Sequence, residues 1–136
     1  MMYDLWGEPI VEELKKCVKC GEEKLLSAYT KASGGNYHRT SCKECETKLT
    51  KDRQALREQH KHTYPNDEYQ CPICQRKEEI VRGSGGKKVG SWCCDHNHRT
   101  GEFRGWLCHD CNRALGNFKE NKHNLKRALE WLEKHE

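Results

Sequence analysis

Asp95, His96 and His98 place a carboxylate and two imidazoles within four positions, and Asn112 directly follows the cysteine pair Cys108 and Cys111. Hydrolysing a phosphodiester needs an activated water, a hard cation on the phosphate and help for the leaving oxygen. Magnesium and manganese favour oxygen donors, with waters and substrate phosphate completing the shell. Asp95 offers a carboxylate and Asn112 a neutral amide oxygen, so this pair is expected to hold Mg2+ or Mn2+. An imidazole titrates near neutrality, which suits His96 to take a proton from water as general base. His98 lies on the same side of a strand as His96 and is expected to bind phosphate or steady that base. In a regular pleat Asp95 and His96 point to opposite faces, so a shared site requires a local bend.

Something must hold those residues together, and oil is scarce. Hydrophobic residues make up 34% of the 136, even with ten cysteines counted, and mean hydropathy is −1.12. So polar a chain cannot offset its ordering entropy by burial alone. Eight cysteines fall in pairs separated by two residues: Cys17–Cys20, Cys42–Cys45, Cys71–Cys74 and Cys108–Cys111. Two such pairs close a tetrahedral zinc site, which predicts two structural Zn2+ ions. A disulfide framework belongs to secreted chains, and MMYDLWGEPIVEEL lacks the apolar core of a signal peptide. A reducing cytoplasm is the expected location. No segment approaches a membrane span. The net charge of +4 permits a polyanionic partner without requiring one. Cys93 and Cys94 are left over and are expected to pack as small apolar residues.

The elements follow. Residues 1–14 read as a tail. Residues 15–46 form a four-cysteine zinc module with Gly34-Gly35-Asn36 at a hairpin tip, and residues 47–68 a largely solvated helical linker broken by Pro65-Asn66-Asp67. Residues 69–136 hold the second zinc unit. Its stretch Gly83–Gly90 lacks the spacing of a phosphate-binding P-loop, so it and Lys87 and Lys88 read as a loop. Extended runs at 89–96 and 103–107 flank a turn at Arg99-Thr100-Gly101, predicting a hairpin. A short helix is expected from Asn112 to Leu115, ended by Gly116. Leu125, Ala128, Leu129 and Leu132 recur at helical spacing, so 121–135 is expected to be a helix that covers one side of the zinc unit, with Trp131 widening its stripe. The second tetrad would pin Asp95 and His96 opposite Asn112. Arg99 and Arg104 are candidate phosphate contacts. His60, His62, His109, His123 and His135 read as surface residues.

The run CDHNHRTGEFRGWLCHDCNRALG closely resembles the core of the phage recombination endonuclease VII family, a branch of the His-Me finger (HNH-like) nucleases. The resemblance extends from about Tyr69 to the C-terminal helix. It implies a small zinc-stabilised α+β fold: a ββα-metal nuclease core, preceded by the four-cysteine module and followed by a C-terminal helix. It also implies DNA as the partner. Asp95 and Asn112 then correspond to the ligands of the catalytic divalent metal, His96 to the general base, and Cys71, Cys74, Cys108 and Cys111 to the structural zinc ligands. Where the founding member has an acidic residue three positions after the asparagine, this chain has Leu115. The expected function is a metal-dependent DNA endonuclease acting on branched, Holliday-junction-like DNA, with a homodimer as the suggested assembly. An HNH-type nicking or restriction-like endonuclease is the alternative within that class. A non-catalytic zinc module that binds nucleic acid is the alternative outside it.

Overall fold

A computed structural model describes residues 3–9, 13–83 and 90–136. The chain divides into two compact units, Met1–Ala55 and Leu56–Glu136. Among the described residues each sheet is a two-stranded antiparallel ribbon, and no helix is long and apolar enough to cross a membrane. Most of the stretch Gly83–Gly90, with Lys87, Lys88 and Val89, lies outside the described residues.

In the first unit β1 (Leu14–Lys16) pairs with β2 (Glu23–Leu25), and β3 (Tyr29–Lys31) with β4 (His38–Cys42). The turn between β1 and β2 is a sulfur-bearing knuckle. Cys17 N–H donates to Glu22 O at 2.9 Å and Gly21 N–H to Cys17 O at 2.9 Å. Gly21 has φ +74, a conformation that costs glycine little. Helix α1 (Lys43–His60) starts directly after Cys42 and carries Cys45 in its first turn. Among the described residues, Cys17, Tyr29 and Cys42 form the buried cluster of this unit, with Ala28 and Cys45 against it. One aromatic ring and a few sulfurs cannot stabilise such a fold by burial alone. Cys17→Ser is therefore expected to abolish amide exchange protection across Tyr29–Lys31 and His38–Cys42. Unchanged protection in an exchange experiment would contradict a metal-held unit.

The second unit repeats the knuckle. Cys71 N–H donates to Arg76 O at 3.0 Å and Gln75 N–H to Cys71 O at 2.8 Å. After the short helix α2 (Glu78–Val81) come β5 (Trp92–His96), β6 (Phe103–Cys108), α3 (His109–Asn117) and α4 (Lys122–Lys134). The hairpin turns where Asn97 Oδ1 accepts from Arg99 N–H and Thr100 N–H, at 2.8 and 3.2 Å. Trp92, Trp106, Val81 and Leu107 bury with Cys71, Cys108 and Cys111, and Tyr69, Phe103 and Leu115 pack against them. Tyr69 Oη reaches across to Trp106 O at 2.7 Å, and its ring meets Trp92 edge-on.

Three expectations need correction. Helix α3 begins at His109 and runs through Gly116, because the Cys108 sulfur caps it by accepting from Cys111 N–H at 3.4 Å; Asn112 does not start it. Helix α4 is capped by Asn121, whose side chain accepts from Asn124 N–H, but it buries no residue. Leu129, Trp131 and Leu132 remain exposed, and Leu125 and Ala128 are only half-buried, so the stripe is covered only in part. His60 and His109 are half-buried rather than surface residues. His60 stacks on Phe103 at 4.0 Å between ring centroids.

Candidate active site

β6 runs straight into α3, and the cysteine cluster locks that junction. The Sγ atoms of Cys71, Cys74, Cys108 and Cys111 lie within 4.8 Å of one another, as do those of Cys17, Cys20, Cys42 and Cys45. A tetrahedral ion with sulfur at about 2.3 Å needs sulfurs about 3.8 Å apart. The observed Cys74–Cys108 separation is 3.7 Å and Cys17–Cys45 is 3.9 Å. Both tetrads fit zinc.

Their charges fit as well. Cys17 is brought down to about 6, chiefly by backbone hydrogen bonding, while its neighbour Cys45 is pushed up to about 12 by the adjacent Cys42 sulfur and by burial. In the second cluster burial pushes Cys74 upward, but the Arg76 guanidinium, with Nε donating to its sulfur at 3.1 Å, brings it down to about 6. Burial and neighbouring sulfurs push Cys111 far up. Cys20 and Cys108 are also raised and Cys71 is also lowered, so each cluster mixes low and high thiols; sulfurs this close repel as anions, a conflict that a dication removes. Zinc needs thiolates, so acid must release it. A thiol lowered from 9.0 to about 6 stabilises the fold fully above pH 9, and loses that contribution as pH falls through 6.

The β5–β6 ribbon is irregular beside the candidate residues, with the extra residue on β6. Asp95 pairs with Gly105 but His96 pairs with Phe103, so Arg104 is the extra residue of a β-bulge. Bulges re-aim side chains, and here they do so beside the candidate chemistry. Asp95 is 7% exposed. Its carboxylate accepts a two-pronged fork from Arg104, Nε to Oδ2 at 2.8 Å and Nη2 to Oδ1 at 3.0 Å. Arg104 also donates to Glu120, from Nη2 at 2.9 Å and Nη1 at 3.4 Å. Glu120 lies 3.5 Å from His98 Nδ1, and the His98 ring sits 4.8 Å from that of His96. A continuous chain of polar groups thus links Asp95 to His96 through Arg104, Glu120 and His98.

Asn112 is half-buried in the first turn of α3, a helix that packs on both β5 and β6. Because Cys108 supplies the cap, the Asn112 amide is not used for capping. It makes no hydrogen bond among the described residues. A carboxylate and an amide oxygen, if brought to one ion, would offer a hard, all-oxygen donor pair, which suits magnesium or manganese better than zinc.

Sequence reasoning missed two contacts. Glu120 has no motif to mark it. Cys93 and His109 form a second pair, Sγ to Nδ1 at 2.9 Å, with His109 Nε2 3.0 Å from Gly90 O. This chain ties the start of β5 to the start of α3. Gly90 has φ +77, and a Cβ there would come 2.7 Å from Tyr64 Oη. Gly90→Ala is expected to cost about 1–2 kcal/mol for the backbone alone, and more for the clash. A urea melt matching the parent would contradict this.

The recombination endonuclease VII family profile matches residues 63–134. Gene 59 protein of Mycobacterium phage L5 is 43% identical over 63 residues, 46% of this chain and 34% of that protein, so the match spans about a third of the relative's length. The chain is also similar to a solved structure, the beta-beta-alpha-Me type II restriction endonuclease Hpy99I, with a TM-score of 0.51 and 28% identity, covering 90% of this chain and 66% of that one.

Proposed function

Because the chain belongs to the recombination endonuclease VII family, we propose that it is a metal-dependent DNA endonuclease with Asp95, His96 and Asn112 at its active site. One observation carries the reading. A buried carboxylate and an amide with no hydrogen-bond partner among the described residues sit on a bulged ribbon and a helix that a single cysteine cluster fastens together. Asp95 and Asn112 would hold Mg2+ or Mn2+, which supplies a Lewis acid on the scissile phosphate and charge for the leaving oxygen.

The remaining chemistry belongs to side chains. The His96 imidazole accepts a proton from the attacking water. The water oxygen bonds to phosphorus as the bond from phosphorus to the sugar oxygen breaks. His98, beside His96 and facing Glu120, keeps that imidazole oriented. The zinc clusters do no chemistry; they set distances.

Branched DNA is the leading substrate, in keeping with the recombination name of the family. Cutting of unbranched duplex is the second reading, favoured by the likeness to a restriction endonuclease over 90% of the chain. Four-way junction, flap, nicked and linear duplexes, cleaved by one zinc-loaded preparation with Mg2+ and then EDTA, separate the two. The proposal expects cleavage of the junction in preference to the linear duplex, and none with EDTA. Equal cutting of linear duplex replaces the first reading by the second. Inactivity on every substrate would favour a binding module.

A further inference from the structure

Asp95 is buried, and the cation that faces its carboxylate is Arg104. Its fork covers both carboxylate oxygens, the same oxygens that a divalent ion would take. Arg104 and the ion therefore compete. A guanidinium has five donors in a rigid plane and can serve two carboxylates at once. Arg104 does so, with Nη1 and Nη2 on Glu120.

The surroundings of Glu120 are built to keep that second grip. Its side chain is 21% exposed and faces both Arg104 and His98. Lys119 and Glu120 have φ +55 and +53, two successive non-glycine residues in the left-handed region. Such a pair is uncommon and persists only where surrounding contacts enforce it. Here Lys119 N–H donates to Gly116 O and Glu120 N–H to Leu115 O, each at 2.9 Å, which fixes the turn that delivers the carboxylate. On the opposite side, the bulge leaves Arg104 as the unpaired residue of β6.

We propose that Glu120 is a positioning residue of the phosphate-cleaving site, which retains the Arg104 guanidinium when a divalent cation takes the Asp95 carboxylate and so presents Arg104 to the scissile phosphate. The inference rests on the nuclease reading above. Before the cation arrives, Arg104 neutralises Asp95 and keeps the pocket folded. Afterwards it keeps only its Glu120 partner, and its freed edge faces phosphate oxygens, for which guanidinium geometry is matched.

The test uses the full zinc-loaded chain, with Mn2+ as the probe, titrated by electron paramagnetic resonance, and plasmid cleavage under single turnover at saturating Mn2+. Arg104→Met removes the competitor and is expected to bind Mn2+ at least about fivefold more tightly, the low end of common couplings between two ligands. Its cleavage should fall about 100-fold, as on loss of one charge-stabilising donor. Glu120→Gln leaves Arg104 on Asp95, so Mn2+ should bind several-fold more weakly and cleavage should fall about tenfold; in the Arg104→Met background the same change should shift either value by less than about twofold. Arg104→Lys keeps the charge without the fork and serves if Arg104→Met does not fold; its cleavage should still fall about tenfold or more.

Two results overturn the proposal alone: unchanged Mn2+ affinity in folded Arg104→Met, or a Glu120→Gln effect of equal size with and without Arg104. The underlying nuclease reading, and the proposal with it, falls if Mn2+ does not bind the parent or binds Asp95→Asn equally well.

Discussion

Replacing His96 by Ala is expected to slow DNA cleavage by about 10²–10⁴-fold, the usual worth of a positioned general base. Asp95→Asn is expected to lose at least as much. The two substitutions fail differently. His96 is half-buried, outside the zinc cluster, and its ring sits beside that of His98, so its removal should leave zinc content and melting unchanged. Raising the pH should then restore part of the rate, because hydroxide replaces the missing base. Asp95→Asn removes the buried negative charge that Arg104 pairs with, leaving the guanidinium on Glu120. Alkali should not rescue it, because the loss lies in cation binding. A buried ion pair broken on one side can also cost about 3–5 kcal/mol of stability, so Asp95→Asn is read at a temperature where it is folded. Cleavage that survives either substitution in pure protein would overturn the site assignment.

Cys108→Ser should do more damage than any substitution in the catalytic set. Cys108 is completely buried, ends β6, caps α3 and contributes one of four clustered sulfurs. Zinc contributes about 10–16 kcal/mol to folding in small metal-built domains, more than the whole stability of most domains of this size. A hydroxyl in place of one thiolate forfeits much of that, as well as the cap. The expected result is loss of one bound zinc and loss of exchange protection across Trp92–His96 and Phe103–Cys108. Strong chelators should produce the same loss in the parent. If Cys108→Ser melts like the parent and retains both zinc ions, the ligand set is wrong.

The sequence was most readable where spacing is dictated by covalent geometry. Paired cysteines two residues apart can bind one ion only in a tight turn, and both tetrads meet as expected. The hairpin was legible because two extended runs flank Arg99-Thr100-Gly101, and Gly101, at φ +79, suits a tight turn. Helix ends were less legible: Asn112 looked like a helix start because side-chain oxygens usually cap, whereas a cysteine sulfur does so here. Helix α4 shows the limit of periodicity, which reports that an apolar face exists and not what covers it. Glu120 was hidden for a deeper reason. Its role depends on a bulge that re-aims Arg104 and on two residues with positive φ, neither of which leaves a compositional trace.

In the proposed active site Asp95 and Asn112 share one cation within reach of His96. Crystals of the zinc-loaded protein grown with Mn2+, measured by anomalous diffraction at the manganese edge, address this without any assay of activity. The expected map has one manganese peak per chain, about 2 Å from an Asp95 carboxylate oxygen and from the Asn112 amide oxygen, with the His96 ring facing a metal-adjacent water or phosphate. Manganese bound elsewhere, or Asp95 still forked by Arg104 at saturating Mn2+, would contradict it.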